Sequence, residues 1–126
     1  MVNLRGVMKR SVLIVDDHAV VRGMVCSLFK AKGFTVCEAE NGIQAVARAQ
    51  ELHPDLIVLD LAMPVMNGLD AARKLKQIMP HVPLVMFTNT VGPVTDNAAH
   101  AAGISAVVSK SDSIDKLIVQ ANALLS

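Results

Sequence analysis

Three short, β-branched apolar runs, each delivering a polar side chain at its carboxyl end, constrain this chain more than any other feature. Val12-Leu-Ile-Val15 runs into Asp16-Asp17, Leu56-Ile-Val-Leu59 into Asp60, and Leu84-Val-Met-Phe87 into Thr88. A fourth run, Ala106-Val107-Val108, leads through Ser109 to Lys110. Nearly unbroken apolar runs of this length read as strands covered on both faces, as in a parallel sheet between helical layers. Open parallel sheets bind ligands just beyond the carboxyl ends of their strands. The pattern therefore predicts that the carboxylates, the hydroxyl and the ammonium converge at one sheet edge.

The segments between these runs carry helical spacing. Val20, Val21, Met24, Val25, Leu28 and Phe29 recur on one face up to the stop signal Gly33. Phe34 to Ala39 reads as a further strand. After Asn41-Gly42, the residues Ile43, Val46, Ala47 and Leu52 form a second helical stripe, which Pro54 ends. A loop spans Leu61 to Asn67, and Gly68 to Met79 is helical; Pro80 and Pro83 bracket a turn. Gly92-Pro93 is expected to delay the next helix, leaving a short one over Val94 to Ala102 that Gly103 closes. The last strand covers Ala106 to Ser109. Ile114, Leu117, Ile118, Ala121, Leu124 and Leu125 then form a final amphipathic helix, with Asp112 or Ser113 as its N-cap. Strands alternating with helices through short loops imply a doubly wound α/β sheet with right-handed crossovers.

Composition fits one small domain. The chain has 126 residues, 52% of them hydrophobic, enough for a single core that buries roughly two-thirds of the unfolded surface. Its 12 Lys and Arg against 11 Asp and Glu give a net charge of +1, which supplies no bulk attraction for nucleic acid or anionic membrane. Cys26 and Cys37 show no metal or C-x-x-C spacing and read as small core hydrophobes in a reducing compartment. The first ten residues have no apolar stretch of signal-peptide type, and no run is long enough to span a bilayer, so the expected location is cytoplasmic.

The chemistry follows from gathering like charges. Two carboxylates about 4 Å apart at an effective dielectric near 20 repel by roughly 4 kcal/mol, so Asp16, Asp17 and Asp60 need neutralising. A raised carboxyl pKa is one answer. An all-oxygen pocket more naturally holds Mg²⁺, a hard cation that keeps waters and accepts phosphate oxygens. Lys110 and Thr88 add the ammonium and hydroxyl donors that a phosphoryl group's oxygens require. Asp60, at the end of the central strand, is then the candidate nucleophile, because carboxylates form acyl phosphates.

These residues together resemble the response-regulator receiver family, the partners of histidine kinases in two-component signalling. The resemblance runs from about Lys9 to Ser126; residues 1–9 read as an N-terminal extension and 10–126 as the receiver. It rests on the acidic pair Asp16-Asp17, on Asp60-Leu-Ala-Met-Pro-Val-Met-Asn-Gly68, and on Thr88 and Lys110. It implies a flavodoxin-like, CheY-like sheet of five parallel strands in the order 2-1-3-4-5, flanked by five helices. It also implies that Asp60 is the phosphoacceptor and that Asp17, Asp60 and the Ala62 backbone carbonyl hold Mg²⁺, with Asp16 helping through water. Thr88 and Lys110 would bind the phosphoryl. The implied partners are a sensor histidine kinase or phosphotransfer protein and a downstream protein or effector domain, with a homodimer also open. The chain would be a signalling switch and not an enzyme acting on a separate substrate. Asp16-Asp17-His18, and Lys110 followed by Ser111 in place of proline, look like the NarL/LuxR-type branch, whose receivers usually precede a DNA-binding helix-turn-helix. No such effector is found in these 126 residues, and no direct nucleic-acid or membrane binding is expected of them.

Two positions depart from the family pattern. Val107 stands three residues before the lysine, where an aromatic ring usually reports activation, and Gly92-Pro93 opens the fourth helix. Singly, each site residue has a plain structural reading: Asp16 and Asp17 as helix-capping acids worth ~0.3–1 kcal/mol, Asp60 as a turn residue, Thr88 and Lys110 as surface polar groups. His18, His53, His81 and His100 read as surface histidines, His18 lying nearest the acids. The methionines read as core filler, except Met63 and Met66, which are expected to line the phosphodonor's approach. Asn67-Gly68 reads as the turn into the next helix. A haloacid-dehalogenase-type phosphatase would need a second acid where Ala62 stands, and a dinucleotide-binding domain would need glycines where Asp16-Asp17 stand. A receiver fold that signals without phosphorylation is the alternative that Val107 keeps open.

Overall fold

The computed structural model describes residues 9–126. Residues 1–8, most of the expected N-terminal extension, lie outside them. Five strands alternate with five helices. They are β1 (Ser11–Val15), α1 (Ala19–Ala31), β2 (Thr35–Ala39), α2 (Gly42–Leu52), β3 (Leu56–Leu59), α3 (Gly68–Ile78), β4 (Leu84–Thr88), α4 (Pro93–Ala101), β5 (Ala106–Ser109) and α5 (Asp115–Leu125). All strand pairings are parallel and the order is β2-β1-β3-β4-β5. The chain thus moves outward from β1 to β2, then crosses back to β3, and the crevice of a doubly wound sheet opens where that direction reverses.

Alternation along the strands divides the core in two. Leu13, Val15, Ile57, Leu59, Leu84 and Met86 face one layer, where Ala45 and Ala49 of α2, Ala71, Ala72 and Leu75 of α3, and Ala99 of α4 cover them. Val12, Ile14, Leu56, Val58, Val85, Phe87 and Val108 face the other, against Val25, Cys26 and Phe29 of α1 and Leu117 and Ala121 of α5. Cys26 belongs to one layer and Cys37 packs against the other, so the sheet separates the two free thiols. Burial pushes the Cys26 thiol up to about 11, leaving it protonated and inert at neutral pH.

Two helical stripes differ from the sequence expectation. In α1 the buried residues are Val25, Cys26 and Phe29, whereas Val20 is 77% and Met24 56% exposed. In α2 the buried face is Gly42, Ala45 and Ala49; Ile43, Ala47 and Leu52 point outward. On the face that α2 covers, branched and long strand side chains already fill the space above the sheet, so α2 approaches through the methyl groups of Ala45 and Ala49. In α1 the expected Val25 and Phe29 are buried and Val21 and Leu28 partly so, and only Val20 and Met24 depart, whereas in α2 bulk alone assigned the wrong phase. α4 also starts earlier than expected, because Pro93 occupies its first turn, where a missing N–H costs no hydrogen bond. Neither Asp112 nor Ser113 is the N-cap residue of α5, which is Ile114; the Ser113 hydroxyl instead accepts a 3.3 Å bond from the Asp115 N–H.

The loop from Leu61 to Asn67 is tightly held. The Met66 N–H donates to the Pro64 carbonyl at 2.7 Å around Val65, whose φ of 70° places a β-branched residue in the left-handed region. The Gly68 N–H returns to the Leu61 carbonyl at 2.8 Å, and a Cβ on Gly68 would collide with the Asp60 carbonyl oxygen. Gly68 is therefore required for close approach to the Asp60 backbone as well as for the turn. At the opposite end, the Arg10 guanidinium donates to the Leu125 carbonyl, tying the start of β1 to the end of α5. Among the described residues, no helix is long and apolar enough to cross a membrane.

Candidate functional site

Register builds the site. Val15 pairs with Leu59 across β1 and β3, so the next residues, Asp16 and Asp60, leave the sheet side by side. The Asp60 N–H donates to the Val15 carbonyl at 2.9 Å and fixes that juncture. Thr88 pairs with Ser109 on β4 and β5, and the Lys110 N–H donates to the Thr88 carbonyl at 2.8 Å, which turns the lysine toward the same edge. Asp16, Asp60 and Thr88 are the buried polar residues of the described chain, at 3%, 4% and 1% exposure.

The charges are arranged around one ammonium. Lys110 Nζ lies 3.0 Å from Asp16 Oδ2 and 3.4 Å from Asp60 Oδ1, so the lysine bridges two carboxylates that would otherwise repel. It compensates them incompletely. Burial, and next the Asp16 charge, raise the Asp60 pKa, while Lys110 lowers it and Asp17 adds a further upward push. Asp17 is half-exposed at the rim, and the Thr88 hydroxyl accepts a 3.1 Å bond from the Thr90 N–H.

Two residues join the site that the sequence reading did not assign to it. The His18 N–H donates to Asp16 Oδ1 at 2.9 Å, and its Nδ1 lies 3.1 Å from Asp17 Oδ1. Arg22, one helical turn beyond His18, reaches back from α1: its guanidinium donates to the Asp16 carbonyl at 2.8 Å and its Nε to Glu38 at 2.9 Å. Asp16, Asp17, His18 and Asp60 each place one donor atom within 4.8 Å of the others, a grouping able to hold a metal ion. His53, which caps α2, His81 beyond α3, and His100 at the end of α4 are outside it.

The methionine expectation is corrected. Met63 is buried in the core and Met66 packs partly buried against it, because the turn at Val65 folds both inward; Val65, 81% exposed, is what the loop presents to solvent. Ala62 is exposed two residues beyond Asp60.

Residues 12–122 match the family model of the response regulator receiver domain. The chain is a response-regulator receiver. Over 115 residues it is 34% identical to the probable transcriptional regulatory protein TcrX of Mycobacterium tuberculosis, covering 91% of this chain and 49% of that protein. The solved structure of chemotaxis protein CheY4 from Vibrio cholerae superposes with a TM-score of 0.89 at 28% identity, covering 94% of this receiver and all of that chain. A LuxR-family two-component response regulator from Aurantimonas matches with a TM-score of 0.88 at 30% identity, over 94% of this receiver and 86% of that chain. This receiver spans about half the length of the curated regulators it matches over most of its own length. The expected CheY-like order 2-1-3-4-5 and the NarL/LuxR-type resemblance both agree with these relatives. The chain is a receiver domain of the two-component signalling family, and its acidic cluster could hold a metal ion.

Proposed function

We propose that Asp60 accepts a phosphoryl group from the phosphohistidine of a sensor histidine kinase or a phosphotransfer protein. The observation that carries this reading is the Lys110 bridge, which joins Asp60 to Asp16 at 3.4 and 3.0 Å within a nearly buried edge. A carboxylate oxygen of Asp60 forms the new O–P bond as the P–N bond of the donor breaks, and the electron pair and a proton remain with the departing imidazole. Lys110 then has an anionic oxygen within reach in place of the bare Asp60 carboxylate, and the Thr88 hydroxyl supplies a second donor. Asp17, Asp60 and the Ala62 carbonyl, with Asp16 through water, would hold Mg²⁺, which supplies charge neutralisation between acceptor and phosphate oxygens.

Phosphorylation adds about −1.5 to −2 charges and three acceptor oxygens. Drawing Thr88 and Lys110 toward them biases the β4–α4 loop and α4, and output follows by binding a downstream protein, an attached effector domain or a second copy. Catalysis is confined to the chain's own phosphorylation and dephosphorylation. Intact-mass spectrometry after acetyl phosphate and Mg²⁺ tests this: one phosphate adduct is expected on the wild type and none on Asp60→Asn. Equal labelling of the variant overturns the assignment to Asp60, whereas a wild type that takes no label favours the phosphorylation-independent interaction module that Val107 keeps open.

A further inference from the structure

On the side of the acidic pair away from Lys110 stands a side chain that the proposed phosphotransfer leaves unused. His18 is 66% exposed at the mouth of the site, and its Nδ1 lies 3.1 Å from Asp17 Oδ1 and 3.4 Å from Asp16 Oδ1. Its backbone N–H already holds that same Asp16 oxygen at 2.9 Å, so the imidazole is anchored beside the pair. Lys110 engages the other oxygen, Oδ2, and does not compete for this face.

The 3.1 Å separation of His18 Nδ1 and Asp17 Oδ1 is one that two ligands of a single cation can have. Two ligands each about 2.1 Å from one cation, in neighbouring octahedral positions, are about 3.0 Å apart. The imidazole nitrogen has that spacing to the Asp17 oxygen, at 3.1 Å, and lies 3.4 Å from the Asp16 oxygen, and Asp60 completes a set of four donors within 4.8 Å of one another. Oxygen donors alone suit Mg²⁺. An imidazole nitrogen adds preference for borderline first-row ions such as Mn²⁺, Co²⁺ and Ni²⁺.

We infer that His18 is a nitrogen ligand that makes this a mixed nitrogen–oxygen site and sets its selectivity toward first-row transition ions over Mg²⁺. The inference rests on the reading of Asp16, Asp17 and Asp60 as the cation site. A simple ion pair between His18 and Asp17 would behave oppositely, because it would compete with every cation alike and its removal would tighten all of them.

The test titrates Mg²⁺ and Co²⁺ calorimetrically into the full chain, its His18→Asn variant and its Asp17→Asn variant, with thermal melts confirming folding. His18→Asn is expected to weaken Co²⁺ by about tenfold while changing Mg²⁺ by less than about threefold. In Mn²⁺-loaded wild type, pulsed electron paramagnetic resonance is expected to show coupling to an imidazole nitrogen that disappears in His18→Asn. Parallel changes for both ions, tightening of both, or a nitrogen coupling that persists in His18→Asn overturns the role of His18. If Asp17→Asn abolishes binding while His18→Asn leaves Co²⁺ unchanged, only this inference falls; if Asp17→Asn binds both ions as the wild type does, the carboxylate site falls with it.

Discussion

Asp60 is held in a condition that the folded chain alone does not favour: a carboxyl group with 4% exposure beside a second acid, its pKa raised. The folded state therefore keeps a proton that the unfolded chain has already released, and stability falls as pH rises from the ordinary value of 3.8 through the raised one. Asp60→Asn removes that penalty while Lys110 keeps Asp16 as partner. It is expected to stabilise the metal-free protein by on the order of 1 kcal/mol at neutral pH, with the gain shrinking as pH falls into the carboxylate range. Melts at neutral pH and near pH 4 check this; a gain that grows on acidification would contradict it. Gly68→Ala is expected to act in the other direction. Its added Cβ meets backbone at Asp60 and Leu61, which cannot move aside as a side chain can, so a loss of about 1–3 kcal/mol and a displaced acceptor are expected, seen as a lower denaturation midpoint with weaker phosphorylation. Most of the site was legible in the sequence because strand ends fix direction: the residues at or just beyond the ends of β1, β3, β4 and β5 gather at one edge. His18 and Arg22 were not assigned to it, because their reach depends on the angle at which α1 departs, and no local pattern records that angle.

At the level of elements, the strands were easier to read than the helices. β3 and β5 fall where the apolar runs lie, since a strand covered on both faces needs only an unbroken run. A helix needs the correct phase, and in α2 the large residues face out while Ala45 and Ala49 face in. This arrangement predicts an inversion of the familiar rule. Ala49→Leu, which places bulk against a filled sheet face, is expected to destabilise by about 1–3 kcal/mol, whereas Ile43→Ser is expected to change stability by less than about 0.5 kcal/mol; urea unfolding of both variants decides it. α4 and β5 carry the second element-scale expectation. Val107 is half-buried against the core beside α4, and a β-branched side chain is too stiff and short to swing as a ring does. With beryllofluoride as a phosphoryl mimic, amide NMR shifts are expected near Asp17, Asp60, Thr88 and Lys110 and through Asn89 to Ala102. Equally large shifts over Ile104 to Val108 and α5 would show that Val107 does not restrict the change.

For the whole molecule, the order β2-β1-β3-β4-β5 gathers residues 16, 17, 60, 88 and 110 at one edge, so the site exists only when four strands are in register. A cation bound there stabilises the fold by mass action. Millimolar Mg²⁺ is expected to raise the melting temperature of the wild type, and Asp17→Asn to lose most of that rise; an undiminished shift would reduce the acidic pair to a helix cap. The opposite edge of the sheet carries the connections before β3, β4 and β5 and none of these five residues. The Arg10–Leu125 hydrogen bond brings the two ends of the described chain together as well. The order in which the elements are synthesised is then separable from the switch itself. A circular permutant that joins Ser126 to Arg10 through a short glycine-rich linker and opens between His81 and Val82 would keep every site residue on an intact strand end, whereas one opened within Leu61 to Asn67 would cut the loop behind the acceptor.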